Sequence, residues 1–333
     1  MEAHVVSNLV VATLVLGGIA VAVAVRRSDP WRAAARELWR RRPIAIVVLA
    51  LYVAVALADS IAWVGGADPV RPRSIVDRMF PIDFQERSYS APLADVHFYE
   101  QQVPLRYPGR HLFGTDILGR DVLHLTLKGA RVALLIGGLT TLIVIPVALL
   151  FGVSAGYLGG VVDDVVFFVM STLASIPGIL LLSALIMVMG LGTVQVCVAL
   201  GVTGWVGFCR IARGETLKLR ELDYVQAARA LGGGSREIIV RHILPNLMHL
   251  VVITFVLTFS GLVLSEAVLS WLGLGIAGSW GQMIDQARDE LARDPVIGWN
   301  LAAASSALFG LILAVNIVGD AVRDVLDPRS RRA

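Results

Sequence analysis

The sequence predicts an all-α integral membrane protein, and three observations carry that prediction. The chain of 333 residues is 56% hydrophobic and 17% charged, with a mean hydropathy of +0.73, outside the range of a water-soluble globular domain. Seven apolar runs, 5–25, 43–64, 133–155, 165–190, 194–212, 247–270 and 297–319, approach the length a membrane helix requires. That length is about 20 residues for a hydrocarbon core about 30 Å thick. Lys and Arg gather in alternate connections between these runs, as they do on the cytoplasmic side of membrane proteins.

The run 5–25 reads as a retained, reversed anchor. Its leading residues, Met1-Glu-Ala-His4, lack the basic region of a secretory signal, and the positive cluster follows it at Arg26 and Arg27. With 26–42 placed in the cytoplasm, the inner connections hold 7 (26–42), 0 (156–164), 7 (210–246) and 4 (320–333) of the 29 basic residues. Nine more lie in the connection 65–132, which is too long for the rule to govern, and the short outer connections hold only Arg288 and Arg293. The amino terminus is therefore expected outside and the carboxy terminus in the cytoplasm. The chain divides into an extra span with its Arg-rich linker (1–42), a first core span (43–64), an outer loop (65–128), a transmembrane domain (129–320) and a cytoplasmic tail (321–333). Topology accounts for the net charge of +3 without a nucleic-acid partner.

Within the spans, Gly152, Gly156 and Gly160 recur every four residues, either to let helices approach closely or because glycine is common in membrane helices. Pro146 and Pro177 fall in mid-span, where each removes a backbone hydrogen bond, marking kinks around a pathway or plain packing irregularity. Glu266 and Asp59 are intramembrane acids near outer span ends, suited to packing or gating there, with a proton relay as the lesser alternative. Cys197 and Cys209 sit on one helix, roughly 18 Å apart at about 1.5 Å per residue, too far to bridge.

Catalytic and cofactor chemistry finds no foothold. The six histidines show no metal-ligand spacing, and no Gly-x-Ser-x-Gly elbow occurs. The only two lysines, Lys128 and Lys218, follow Leu127 and Leu217, so no Walker A loop exists. No metal, cofactor or catalytic residue is expected, and the chain is not expected to be an enzyme.

The connection between the spans 194–212 and 247–270 keeps helical signals instead of dissolving into linker. Asp223 is suited to cap a short helix, with Gln226 three residues later completing a capping box. Ala227, Ala228 and Ala230 keep that helix slim enough to enter a groove on another protein. Gly232 to Gly234 end it, because glycine takes the left-handed conformation at low cost. Ser235 is expected to cap a second helix that Pro245 stops or bends. A docking surface is the functional reading, and a surface hairpin with no partner is the alternative.

The pattern Gln226-Ala-Ala-x3-Gly232-x12-Pro245 resembles the EAA loop of the permease subunits of bacterial ABC importers. The first position departs from the family's usual Glu, and Gln keeps the capping role but loses the charge. Phe113-Gly-Thr-Asp-Ile-Leu-Gly-Arg-Asp-Val122, with Gly129-Ala-Arg131, resembles the segment before the permease core in the dipeptide, oligopeptide and nickel transporter family. Trp271-Leu-Gly-Leu-Gly275 with Ser279-Trp-Gly281, and Asn316-x2-Gly-Asp-x2-Arg-Asp-x2-Asp-Pro328, resemble its last outer loop and its tail. Together these cover about residues 113–329 in the family's order.

The resemblance implies a type I ABC importer permease bundle, six core spans plus the extra first one, in the bacterial inner membrane. It implies that Asp223, Gln226, Ala227, Ala228, Gly232 and Pro245 form the coupling segment seated in an ATPase. Gly114, Thr115, Asp116, Gly119, Arg120 and Asp121, with Arg131, would lie outside, near a docked substrate-binding protein. A second permease subunit, two ATP-binding subunits and an extracytoplasmic substrate-binding protein are the implied partners, and peptide-like solutes the implied cargo. Two alternatives remain open at this point: a proton- or ion-coupled secondary transporter, and a non-transporting membrane scaffold.

Overall fold

A computed structural model describes residues 36, 39–65, 68–81 and 83–326. The expected span 5–25, and with it the choice between anchor and signal, lies outside the described residues, as do residues 327–333 of the tail. In chain order the elements are α1 (Pro43–Ser60), β1 (Ala62–Gly65), β2 (Asp68–Ser74), α2 (Ile75–Arg78), α3 (Val122–Leu158), α4 (Gly160–Ser175), α5 (Gly178–Met189), α6 (Thr193–Arg220), α7 (Asp223–Ala230), α8 (Ser235–Ile238), α9 (Leu244–Leu269), α10 (Trp280–Leu291) and α11 (Trp299–Leu326). Wider π-helical turns at Ile239–Ile243 and Ser270–Leu274 precede and follow α9. Among the described residues, five helical runs are long and apolar enough to cross a membrane, or six if α4 and α5 together make one span.

The expected span boundaries are corrected in three places. α1 ends at Ser60 rather than 64, because Ile61 turns extended and β-prone Trp63 enters an antiparallel hairpin opposite Arg73. α3 begins at Val122, so residues 122–128, assigned to the loop by the sequence, are its opening turns. Asp121 starts it, its Oδ1 accepting from the His124 backbone N–H at 2.8 Å. The run 165–190 is not one helix: α4 and α5 meet at 90°. There Ile176 is extended, as residues before proline prefer, and Pro177 takes the N-cap of α5.

The three prolines thus behave differently. Pro177 breaks a helix. Pro146 sits inside an unbroken α3. Pro245 neither stops nor caps: it lies in the first turn of α9, directly after the wide turn Ile239–Ile243, where altered hydrogen bonding accommodates the missing N–H.

The described chain forms two compact units, one built from residues up to Leu135 with Glu266–Val318, the other from Ile136–Ser265 with the residues from Gly319. In the first, the Tyr52 hydroxyl on α1 donates to the Ala307 carbonyl on α11 at 2.9 Å, and the Tyr52 ring meets Trp280 edge-on with centroids 5.9 Å apart. The Trp280 indole N–H donates to the Thr126 carbonyl of α3 at 2.8 Å. A side chain at Gly129 would collide with that indole at 2.4 Å, which explains the glycine. Four helices are therefore stapled around two aromatic rings.

In the second unit, Val144, Ala148, Val166, Met170, Trp205 and Phe208 belong to one buried core from α3, α4 and α6. Gly152 and Gly156 sit where α3 crosses α6: a Cβ on either would lie 2.7 Å from the Cys209 carbonyl oxygen or 2.8 Å from that of Arg213. Gly160 does not continue this contact face. It opens α4 with a φ of +54° and nothing near its missing side chain, so its glycine serves the turn between α3 and α4.

Candidate functional site

The elbow after α6 is built from the second unit outward. α6 ends in a polar tail, and Arg213 on it makes a two-point ion pair with Asp163 of α4, Nε to Oδ1 at 2.5 Å and Nη2 to Oδ2 at 2.6 Å. Arg220 donates to the Gly156 carbonyl of α3 at 3.1 Å. These bonds fix the place from which the elbow projects.

α7 follows, and its N-cap is Leu222, not Asp223. Asp223 is the first helical residue and makes no capping bond, so the expected capping box is absent. Gln226 instead donates to the Glu221 carboxylate at 3.2 Å. The carboxylate of Asp223 still favours the helix amino end electrostatically. Ser235 is likewise the first residue of α8, behind an extended Gly234, and caps nothing.

The carboxy end of α7 matches expectation closely. Gly232 has a φ of +88°, its N–H bonds to the Arg229 carbonyl at 3.0 Å, and the Gly233 N–H bonds to the Ala228 carbonyl at 3.0 Å. This is the Schellman pattern, which satisfies carbonyls that a helix end otherwise leaves unpaired.

One face of α7 is anchored. Val225 is 2% exposed and packs in a small core with Val153, Tyr157, Ile238, Ile243 and Leu247. Asn246 donates to the Tyr224 hydroxyl at 3.1 Å, and the Tyr224 ring lies against His242. The other face is bare: Gln226, Ala227, Arg229, Ala230 and Gly232 are exposed, Ala228 is half-buried, and Leu231 is 88% exposed. Pro245 is exposed beside this anchor. The sequence reading missed both Val225 and Leu231, whose opposite fates follow from where α7 starts. The result is a short helix, apolar at its exposed tip and flanked by Arg229 and Arg236.

The segment 113–122 lies in the first unit, and its polar residues turn inward. Thr115 and Asp116 have no exposed surface and Asp121 is 2% exposed. Asp116 accepts the backbone N–H of Leu118 at 3.0 Å and of Arg120 at 2.8 Å, and pairs with the Arg120 guanidinium at 2.7 Å. The Thr115 hydroxyl donates to the Ser88 carbonyl at 2.8 Å and accepts the Ser90 N–H at 2.6 Å. Gly114 and Gly119 have φ of +73° and +72°, and a side chain on Gly119 would meet the Glu86 carbonyl oxygen at 2.0 Å. His111, fully buried, bridges Asp121 at 2.9 Å and Glu86 at 3.4 Å. These residues knit the loop together, and what they expose is apolar: Phe113, Ile117 and Leu118.

Arg131 reaches Asp59 at 3.7 Å, Lys128 pairs with Asp77 at 2.7 Å, and buried Asp59 accepts from Ser74 at 2.8 Å. Burial works against the Asp77 carboxylate, but hydrogen bonds from His124 and Lys128 outweigh it and hold it well below the usual carboxylate range.

Glu266 is also enclosed. It accepts from Ser270 at 2.6 Å, and Ser270 contacts the Ser279 hydroxyl at 3.3 Å, while Gly275 and Gly281 close around Ser270. This is a packed knot at the end of α9. Glu290 on α10 was not singled out by the sequence. It is 1% exposed, Asn300 donates to it at 3.4 Å, and burial pushes its carboxyl above the ordinary value. Among the described residues no group of His, Cys, Asp and Glu is arranged to hold a metal ion.

Residues 148–332 match the family model described as the binding-protein-dependent transport system inner membrane component. The chain is 36% identical over 225 residues to the dipeptide transport system permease protein DppC of Bacillus subtilis, covering 67% of this chain and 70% of that one. It is 36% identical over 226 residues to the oligopeptide transport system permease protein OppC of Haemophilus influenzae, covering 67% and 72%. Against the glutathione transport system permease protein GsiD of Escherichia coli the figure is 34% over 223 residues, covering 66% and 73%.

Proposed function

The chain belongs to the binding-protein-dependent transport inner membrane components and is a membrane permease subunit of an ABC importer; on that premise we propose that it carries peptides or related small solutes inward. The substrate class rests on the names of its relatives, which are dipeptide, oligopeptide and glutathione permeases. Such a component works with other subunits. In this reading they are a second permease, two ATP-hydrolysing subunits in the cytoplasm and a substrate-binding protein outside. The amino terminus faces outward and the elbow inward, in keeping with the basic residues at 210–246.

The observation that carries the proposal is the two-faced α7. A helix keyed into the bundle through Val225, yet bare along Gln226 to Gly232, is suited to receive a push and pass it on without bending. Closure of the ATP-hydrolysing subunits would move α7, and the Arg213–Asp163 pair with the Arg220–Gly156 bond would carry that movement into α3, α4 and α6. Gln226 already bonds within its own chain to Glu221, so this mechanism does not require an ion pair from that position. Asp116, Thr115 and Asp121 act in this reading as the frame of the outer loop, and docking of the binding protein falls to the exposed apolar residues beside them.

The test is uptake of a labelled dipeptide into vesicles holding the reconstituted complex. ATP-dependent accumulation, lost with Gly232→Asp while the protein stays in the membrane, is the expected result. Accumulation driven by a proton gradient without ATP would overturn the proposal.

A further inference from the structure

We propose that the loop between α2 and α3 carries a binding site for a small organic acid, in a recess of about 410 Å³ between residues 85–87 and 97–106. Arg87, His97 and Arg106 line it together with Glu86, Val103 and Pro104. That volume falls in the range of small-molecule sites, about 300–1,000 Å³. A single acidic side chain from a docking protein would fill only a small part of it.

The balance of donors and acceptors selects the ligand. His97 is 7% exposed, and neither nitrogen of its ring has a hydrogen-bond partner among the described residues. A buried polar group left so is destabilising, and this ring borders a cavity from which a partner can come. Either neutral tautomer offers one N–H. Arg87 is exposed, and its guanidinium likewise has no ion pair or hydrogen bond among the described residues. Arg106 reaches Asp83 only at 3.4 Å. The carboxylate of the lining, by contrast, is fully engaged. Glu86 accepts the backbone N–H of Arg106 at 3.0 Å and of Tyr107 at 2.9 Å, and its Oε1 meets His111 at 3.4 Å. What the recess has left to offer is donors, and an arginine fork beside an imidazole N–H matches the two oxygens of a carboxylate.

Val103 and Pro104 add an apolar wall for a short carbon stem, which an inorganic anion lacks. The His97 backbone N–H donates to the Val103 carbonyl at 3.1 Å, which holds the ring beside that wall. The recess is also tied to the segment 113–122: the Glu86 N–H donates to the Gly119 carbonyl at 2.8 Å, and the Gln85 side-chain amide to the Leu118 carbonyl at 2.7 Å. A ligand held between Arg87 and His97 would therefore draw residues 85–87 and 97–106 together beside that segment. Nothing in this assignment depends on what the transporter carries.

The test is nuclear magnetic resonance of ring-labelled histidines in the detergent-solubilised full chain, with butyrate as the probe. His97→Gln identifies the His97 signal by its loss, and His124, paired with Asp77 at 2.9 Å, is the control. Butyrate is expected to move the His97 signal saturably and to leave His124 in place. Arg87→Ala removes a side chain with no hydrogen bond or ion pair to lose, so the fold should stay intact. Saturation in that variant is expected to need roughly ten times more butyrate. Butyramide, of the same shape without the charge, is expected to leave His97 unmoved. A His97 signal that butyrate does not move, that butyramide or inorganic phosphate moves as readily, or that responds alike in wild type and Arg87→Ala would overturn the proposal.

Discussion

Replacing Leu231 by Ala separates docking from folding. The Leu231 side chain is 88% exposed at the tip of α7, so almost none of its burial is used within the chain. Covering a leucine fully is worth about 1.5–3 kcal/mol. If a partner subunit covers this tip, truncation to alanine loses about 1.5–2 kcal/mol of that, and about 1.4 kcal/mol is a factor of ten in affinity. Leu231→Ala is thus expected to weaken binding of the purified ATP-hydrolysing subunits roughly 10- to 30-fold. The permease alone should melt at the wild-type temperature, because the residue contacts little of its own chain. The assay is a titration of those subunits onto detergent-solubilised permease, beside a thermal melt of the permease. Wild-type affinity in the variant would refute the reasoning, since no partner could then be covering the tip.

Val225→Ala should show the converse pattern: it opens a void in the small core beneath α7 at a cost of about 2 kcal/mol. Hydrogen exchange in α7 should rise, and ATP hydrolysis should continue with less transport per ATP. Asp116→Ala strips two backbone N–H groups and a guanidinium of their buried acceptor, with an expected loss of about 3 kcal/mol. Proteolysis of the loop 81–121 is the readout. Glu290→Gln tests a buried acid whose carboxyl is raised above 4.5 by burial, against the opposing bond from Asn300. A raised folded value means stability is full below the unfolded value and is lost as pH rises through the folded one. Thermal melts from pH 4.5 upward should therefore fall in wild type and stay flatter in Glu290→Gln.

The spanning helices were legible because mean hydropathy over about 20 residues is a strong signal that neighbours rarely override. Their ends were not. α1 stops at Ser60 although Trp63 and Val64 extend its apolar run, because Ala62 and Trp63 pair with Ser74 and Arg73 in a hairpin that periodicity over four residues cannot reveal. Pro146 and Pro177 carried the same sequence signal, and only context told a break at Pro177 from a continuous helix at Pro146. α7 was placed correctly at its glycine end, where the left-handed turn at Gly232 admits few alternatives. Its start was misjudged by one residue, since Asp223 is a good cap in isolation but burial of Val225 fixes the helix phase.

The segment Gly114 to Asp121 shows what the residue types of a loop motif leave open. Thr, Asp and Arg in a loop look like a hydrophilic surface, and composition cannot separate a solvated carboxylate from a buried one. What decides is the supply of donors. Asp116 has the N–H groups of Leu118 and Arg120 and the Arg120 guanidinium within 3.0 Å, enough to replace water, and two left-handed glycines bend the backbone to deliver them. A carboxylate so enclosed serves the loop's shape, and that loop starts α3 through Asp121 and reaches α11 through the Trp299 indole on the Thr115 carbonyl at 2.9 Å. If a binding protein docks on this side, the motif offers it the exposed side chains of Phe113, Ile117 and Leu118. Replacing these three together should impair binding-protein docking while leaving the loop's resistance to protease unchanged, the reverse of the outcome at Asp116.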